Sequence, residues 1–120
     1  MTLKDVYSLL LSSGYPVAYR DYTGEVKKEI PKPPFMVYSV LSTDFDGGDL
    51  RKFIREQEIN VELYTDGKNL EAEEAVDRLL IDLDPEKYES MVDEGFMLVR
   101  YTFTIRDFVP RTRKEGNLNG

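Results

Sequence analysis

The clearest pattern in the chain is a period-two alternation of apolar and polar residues near its C-terminal end. Five apolar residues occupy every second position: Met97, Val99, Tyr101, Phe103 and Ile105. Successive side chains of a strand point to opposite faces of a sheet, so this spacing predicts a strand with one dry face and one wetter face.

Two further segments predict a long hairpin in the middle of the chain. Residues 35–41 are rich in strand-favouring side chains, and the run 50–64 alternates in its second half through Ile59, Val61 and Leu63. Turn-favouring residues fill positions 42–49 between them. The pattern predicts an antiparallel hairpin whose polar tip carries three aspartates, Asp44, Asp46 and Asp49.

Apolar residues recur at helical spacing in two other segments. The first predicted helix covers 2–13, with Thr2 as its N-cap and Gly14 just past its end. The second follows Asn69 as N-cap, and its apolar face is predicted to include Leu70; it ends at or before Asp84-Pro85. A short strand at 17–20 and a weak one at 88–92 complete the predicted elements.

These elements predict an α+β fold, in which two helices pack on one face of an antiparallel sheet of about four to five strands. The prediction places a single domain at 1–110 and a flexible polar tail at 111–120. Residues 21–34 contain three prolines and the lysines Lys27, Lys28 and Lys32, which indicates an arm or a long connection.

Composition narrows the possible chemistry. The chain has 120 residues, no histidine and no cysteine, which excludes Ser–His triads, thiolate metal sites and disulfides. Its net charge of −7 does not favour wrapping a phosphate backbone. No apolar run is long enough for a membrane span, and the N-terminus lacks the pattern of a secretory signal. We therefore expect no enzymatic activity, no cofactor, no metal and no membrane partner.

Three clusters of charged residues each have a simpler interpretation than a functional site. A calcium loop beginning at Asp44 would need glycine at its sixth position and glutamate at its twelfth, but Asp49 and Arg55 stand there. The acidic cluster at 71–77 suits the start of a helix, where carboxylates complement the dipole. The basic residues of the tail, Arg111, Arg113 and Lys114, could contact an acidic partner or only solubilise the terminus.

Three segments carry a resemblance to a known family: residues 35–38, the strand ending in Glu-Leu-Tyr-Thr at 62–65, and the Glu-rich helix at 71–76. With the closing strand at 99–105, they resemble the small neck proteins of long-tailed phages and prophages. That family comprises tail-terminator, or tail-completion, proteins and their head–tail joining relatives. The resemblance covers roughly residues 1–108.

The resemblance implies a structural assembly protein of the virion tail and neck. Such proteins form a ring, usually hexameric, that terminates the tail tube and joins it to the head connector, with DNA only as passing cargo. Assembly would take place in the cytoplasm of the bacterial host. Because related folds serve several neck positions, terminator and joining roles both stay open.

Two polar segments are the candidate subunit-contact or channel-facing surfaces. One is the proline-rich loop with Lys27, Lys28 and Lys32, and the other is the predicted tip with Asp44, Asp46 and Asp49. The alternative function is a small monomeric or dimeric adaptor or regulatory binding module. A carboxylate- or metal-dependent enzyme is the third hypothesis.

Overall fold

The computed structural model describes residues 1–20, 30–47, 52–91 and 95–110. In chain order its elements are α1 (Leu3–Leu11), β1 (Val17–Tyr19), β2 (Phe35–Asp46), β3 (Lys52–Asp66), α2 (Leu70–Leu80), a 3₁₀ turn (Ile81–Leu83), β4 (Glu86–Met91) and β5 (Phe96–Pro110). The α+β class predicted from the sequence is confirmed. Among the described residues, no helix is both long and apolar enough to cross a bilayer.

The strands form one five-stranded sheet in the order β1-β2-β3-β5-β4. β1 runs parallel to β2, whereas the other neighbours are antiparallel. The prediction of a purely antiparallel sheet was therefore wrong. Parallel neighbours need a crossover of about a dozen residues or more, and the connection 20–34 is long enough to supply one.

Local capping explains where the helices begin. Thr2 accepts a hydrogen bond from the amide of Asp5, whose carboxylate accepts one from the Thr2 amide, so the two residues form a capping box. Asn69 caps α2 by accepting from the Ala72 amide at 3.0 Å. Both predicted N-caps are confirmed, and Gly14 follows α1 with a φ of +86°, a conformation that favours glycine.

The hydrophobic core lies between the sheet and the two helices, which pack on the same face. α1 contributes Val6 and Leu10, and α2 contributes Ala72, Val76 and Leu80. The strands supply the facing layer: Met36, Tyr38, Ile59, Val61, Leu63, Val99, Tyr101, Phe103 and Ile105. The two alternating stripes predicted from the sequence are therefore buried, except that Met97 is only half-buried. Leu70 was wrongly placed in the core, because it lies in the first turn of α2 and is exposed.

The central hairpin is longer than the sequence predicted. β2 continues to Asp46, so Asp44 and Asp46 are strand residues paired with Glu56 and Ile54 rather than parts of a turn. A bulge between Val40 and Ser42 shifts the register and lets the ladder continue. The polar composition of 42–46 suggested a turn, but β3, which β5 pairs along its whole length, holds this segment in the sheet. Asp49 lies outside the described residues.

Candidate functional site

The middle strands extend beyond the hydrophobic core as a three-stranded arm. The last core-packed residues towards this end are Val40 in β2, Ile59 in β3 and Ile105 in β5. We define the arm as residues 41–46, 52–58 and 106–110, which continue the ladders past those positions. β1 pairs only with 36–38 and β4 only with 97–102, so no described strand covers either edge of the arm.

The arm presents large apolar side chains to solvent. Phe45 is 58% exposed and Phe108 is 63% exposed, and Leu41 and Ile54 are also exposed. Ile54 and Phe108 are direct partners across β3 and β5, so they form one apolar pair on the same face. Because an arm with exposed aromatic rings and two edges that no described strand pairs gains by being covered, these features favour a docking role.

Two ion pairs join β3 and β5 within the arm. Arg55 donates to both carboxylate oxygens of Asp107, from Nε at 2.9 Å and from the terminal guanidinium at 2.6 Å. The hydrogen bond from Arg55 is the largest cause that lowers the pKa of Asp107. On the opposite face, Arg106 pairs with Glu56 across the same two strands. β3 and β5 are thus joined on both faces within the arm, just beyond the hydrophobic core.

The sheet face opposite the helices, here called the open face, holds a polar groove. Its residues form cross-strand rows that follow from the register: Asn60 beside Thr102 and then Glu86, and Glu62 beside Arg100 and then Tyr88. Glu58 and the bulged Leu41, the first arm residues of β3 and β2 beyond the core, close one end of the groove. The groove has a volume of about 500 Å³.

Carboxylates outnumber cations around this groove. Glu62 is fully engaged, because it accepts from Tyr64 at 2.9 Å and from Arg100 at 3.1 Å. Burial, reinforced by the Glu62 contact, raises the pKa of Tyr64 to about 12. Glu86 accepts from the hydroxyl of Tyr88, and within the described part of the chain neither Glu86 nor Glu58 has an ion-pair partner.

Asn60 sits at the floor of the groove and is only 7% exposed. Its Oδ1 atom is buried and accepts no hydrogen bond from any described part of the chain. A buried acceptor without a donor lowers the stability of a fold by about 1–3 kcal/mol, so such an acceptor is unusual. The groove therefore combines surplus negative charge with an unused acceptor.

A second charged cluster lies on the helix side and ties α2 to the sheet. Glu73 is buried, with Lys68 Nζ at 2.8 Å and Lys87 Nζ at 3.1 Å from its carboxylate. Lys87 also pairs with Asp77 at 3.1 Å, and Asp77 accepts from the hydroxyl of Tyr101. Every charge here has an opposite partner, so this cluster is structural in character.

The sequence-predicted site residues are not brought together. Lys27, Lys28 and Asp49 lie outside the described residues, as does the tail at 111–120. Lys32 is exposed just before the start of β2, whereas Asp44 and Asp46 are exposed near its other end. At about 3.3 Å per residue, these two groups stand some 30–40 Å apart along the strand. The two aspartates do lie on the arm, although in a strand and not at a tip.

Sequence reasoning missed the groove residues Glu58, Asn60 and Glu86. The only signal was that Glu58, Asn60 and Glu62 alternate with apolar neighbours, which places them on one face. Nothing in the sequence set the register that brings Glu86 beside Thr102. Among the described residues, no group of three or more acidic side chains is placed to hold a metal ion.

Comparison of the chain with protein-family models gave no match, and comparison with curated proteins gave no significant match.

Proposed function

We propose that this chain is a structural assembly protein of a long-tailed phage or prophage, which forms a ring that terminates the tail tube and joins it to the head connector. Its partners would be further copies of itself, the tail-tube protein and the connector protein, with DNA passing through the ring. It would act in the virion neck after assembly in the bacterial cytoplasm. The sequence resemblance supplies the identity of this assembly, and the fold supplies surfaces suited to it.

The observation that carries the proposal is the arm. A monomeric domain has no need of three strands that continue beyond its core with Phe45, Ile54 and Phe108 exposed. Such a ribbon can lie on a neighbouring subunit, and repeated head-to-tail contacts of this type close into a ring when the rotation allows it. The exposed edges of β2 and β5 also permit strand-to-strand contact between copies.

The negative net charge is compatible with a DNA conduit. A ring of chains that each carry −7 presents negative potential to DNA in its channel, which discourages adhesion to the wall. The same charge makes neighbouring copies repel at low ionic strength. Moderate salt should therefore favour ring closure, because the screening length falls to about 8 Å at physiological ionic strength.

The proposal is tested by measuring the mass of the full chain in solution at several concentrations and by imaging the same samples for rings. We compare Phe108→Asp with Leu70→Asp as a matched control, because both side chains are 63% exposed and both changes add one negative charge. Leu70 lies in the first turn of α2, away from the arm. We expect Phe108→Asp to abolish rings and Leu70→Asp to keep them.

If the two variants assemble equally well, the arm is not part of the interface between subunits. The adaptor or regulatory module remains the second candidate, and the groove on the open face is the observation that favours it. A chain that stays monomeric or dimeric at every concentration and ignores tail tubes, yet binds a soluble protein, would favour that candidate.

A further inference from the structure

We propose that the groove on the open face receives the basic tail segment, residues 111–114, of a second copy of this chain. The inference deepens the proposed function, on which it rests for the expectation that copies assemble. It names one contact between neighbours: an Arg-Thr-Arg-Lys segment from one copy and the groove around Asn60 of the next.

Charge complementarity identifies the chemistry of the occupant. Three carboxylates, Glu58, Glu62 and Glu86, line the groove against the single guanidinium of Arg100, which is already paired with Glu62. Glu58 and Glu86 are left for an incoming cation. Arginine and lysine side chains are donors without acceptors, so they match a groove that is rich in acceptors and poor in free donors.

Asn60 supplies an independent indication that something enters the groove. Its Oδ1 is buried at the floor and has no donor within the described chain. A cluster of acidic residues alone is an ordinary solvated surface, but a shielded, unsatisfied acceptor beneath it is not. A guanidinium or ammonium group seated between Glu58 and Glu86 would lie over the Asn60 side chain, whose amide must turn for Oδ1 to accept from it.

The direction of β5 argues that the segment comes from another copy. β5 runs from Thr102, beside Asn60, to Pro110, so the chain leaves the strand heading away from its own groove. Thr102 lies eight residues back, about 26 Å along the strand. Four residues span at most about 14 Å when extended, so residues 111–114 are too short to reach the groove of their own copy.

A second copy is also the occupant that the arm favours. The tail follows directly after Pro110, the last residue of the arm. If the arm lies on a neighbouring subunit, the basic segment is delivered to that neighbour at high effective concentration. A basic segment of an unrelated protein would lack this advantage, and its binding is an outcome that the test separates.

The test is a charge exchange between two full-length variants. The tail variant carries Arg113→Glu and Lys114→Glu, and the groove variant carries Glu58→Lys and Glu86→Lys. Each variant alone opposes like charges at the contact, whereas a mixture of the two restores opposite charges. We expect each variant alone to self-associate about tenfold more weakly than the unmodified chain, and the equimolar mixture to recover within about threefold.

The control pair has the same net charges but leaves the contact intact. It combines Lys4→Glu with Arg78→Glu in one chain and Glu71→Lys with Glu74→Lys in the other, all at exposed positions of the two helices. We expect each control chain to associate as well as the unmodified one. Equal losses in control and test chains would show a net-charge effect and overturn the proposal, as would a mixture that fails to recover.

Zero-length carbodiimide cross-linking checks the contact directly. Unlabelled and ¹⁵N-labelled full-length chains are mixed, cross-linked and digested, and peptide pairs that join Lys114 to Glu58 or Glu86 are sought. Pairs of mixed isotope composition support the proposal. Pairs only within one isotope, or none at concentrations where the chain associates, overturn it.

Failure of this contact and failure of the proposed neck role give different results. If the unmodified chain caps tail tubes and its tail variant assembles normally, the neck role stands and this contact is overturned. If the chain gives mixed-isotope cross-links but caps no tail tubes, this contact stands and the neck role is overturned. An unmodified chain that remains monomeric and yields no mixed-isotope pairs at any concentration overturns the contact itself.

Discussion

The hydroxyl of Tyr101 donates a hydrogen bond of 2.7 Å to Oδ1 of Asp77 and so links the centre of β5 to the middle of α2. Tyr101 is 1% exposed and its ring belongs to the core. Burial, together with the contact to Asp77, raises the pKa of the Tyr101 hydroxyl, so the group stays a neutral donor. Core packing and the charged cluster on α2 therefore meet at one side chain.

Removing this hydroxyl should destabilise the fold without emptying the core. We expect Tyr101→Phe to lower the free energy of unfolding by about 1.5–3 kcal/mol, the usual range for a hydrogen bond to a charged group. Tyr88→Phe is the matched control, because the exposed Tyr88 also donates to a carboxylate, at 3.1 Å to Glu86. Its effect should stay within about 0.5 kcal/mol in urea unfolding. Equal effects would show that burial of the Tyr101 hydrogen bond has no energetic consequence.

Truncating a buried side chain of β5 should lower the free energy of unfolding more than removing the Tyr101 hydroxyl does. Phe103 is 4% exposed, and Phe103→Ala should lower the free energy of unfolding by about 3–5 kcal/mol through lost burial and a residual cavity. The neighbouring Thr104 points to the open face and is exposed. Thr104→Ala is therefore the control, expected to change stability little in the same urea titration. A loss below about 1 kcal/mol for Phe103→Ala would contradict the observed burial.

Acid should destabilise the fold through Glu73. Burial acts to raise the pKa of Glu73, but hydrogen bonds from Lys68 and Lys87 outweigh it, and the pKa falls below its ordinary value of 4.5. A carboxyl whose pKa is lowered on folding contributes stability above its unfolded pKa. That contribution is lost as the pH falls from about 4.5 through the lower folded value.

Comparing Glu73→Gln with the unmodified chain isolates this effect. The variant should be less stable at pH 7, and the difference should shrink as the pH falls below about 4.5. Glu71→Gln removes the same charge from the exposed first turn of α2 and should leave the difference small throughout. Thermal unfolding from pH 3 to pH 7 measures both; a Glu73→Gln difference that does not change with pH would contradict the account.

The Arg55–Asp107 pair should govern how often the arm opens. Its two parallel hydrogen bonds and partial burial make it stronger than an exposed pair. A double-mutant cycle with Arg55→Ala and Asp107→Ala should give a coupling of about 1 kcal/mol, measured by amide hydrogen exchange in β3 and β5. The exposed Arg106–Glu56 pair crosses the same strands and should couple by less than about 0.5 kcal/mol. Similar values for the two pairs would contradict this assignment.

The sequence predicted those features that depend on local periodicity and capping. Val99, Tyr101 and Phe103 were assigned to the buried face, and Thr2 and Asn69 to the helix starts, because each signal lies within a few neighbouring residues. For Leu70, the local pattern gave the wrong prediction. Its apolar character suggested burial, but its position in the first turn of α2 leaves it outside the contact with the sheet.

Features that depend on pairing between distant strands were not predictable in this way. The parallel pairing of β1 with β2 and the extension of β2 to Asp46 are set by the neighbours of each strand. The groove required the register of β3, β5 and β4 together, because Asn60 meets Thr102 and Glu86 only across two ladders. A turn-like composition at 42–46 could not reveal that β3 would hold it in the sheet.

The most direct test of the neck role is the growth of tail tubes in the presence of the full-length protein. Purified tubes of the phage or prophage that encodes the chain are mixed with it and with free tube subunits, and tube lengths and ends are imaged over time. The account predicts capped ends and tubes that stop growing. Tubes that keep growing with bare ends, together with no binding to the head connector, would contradict it.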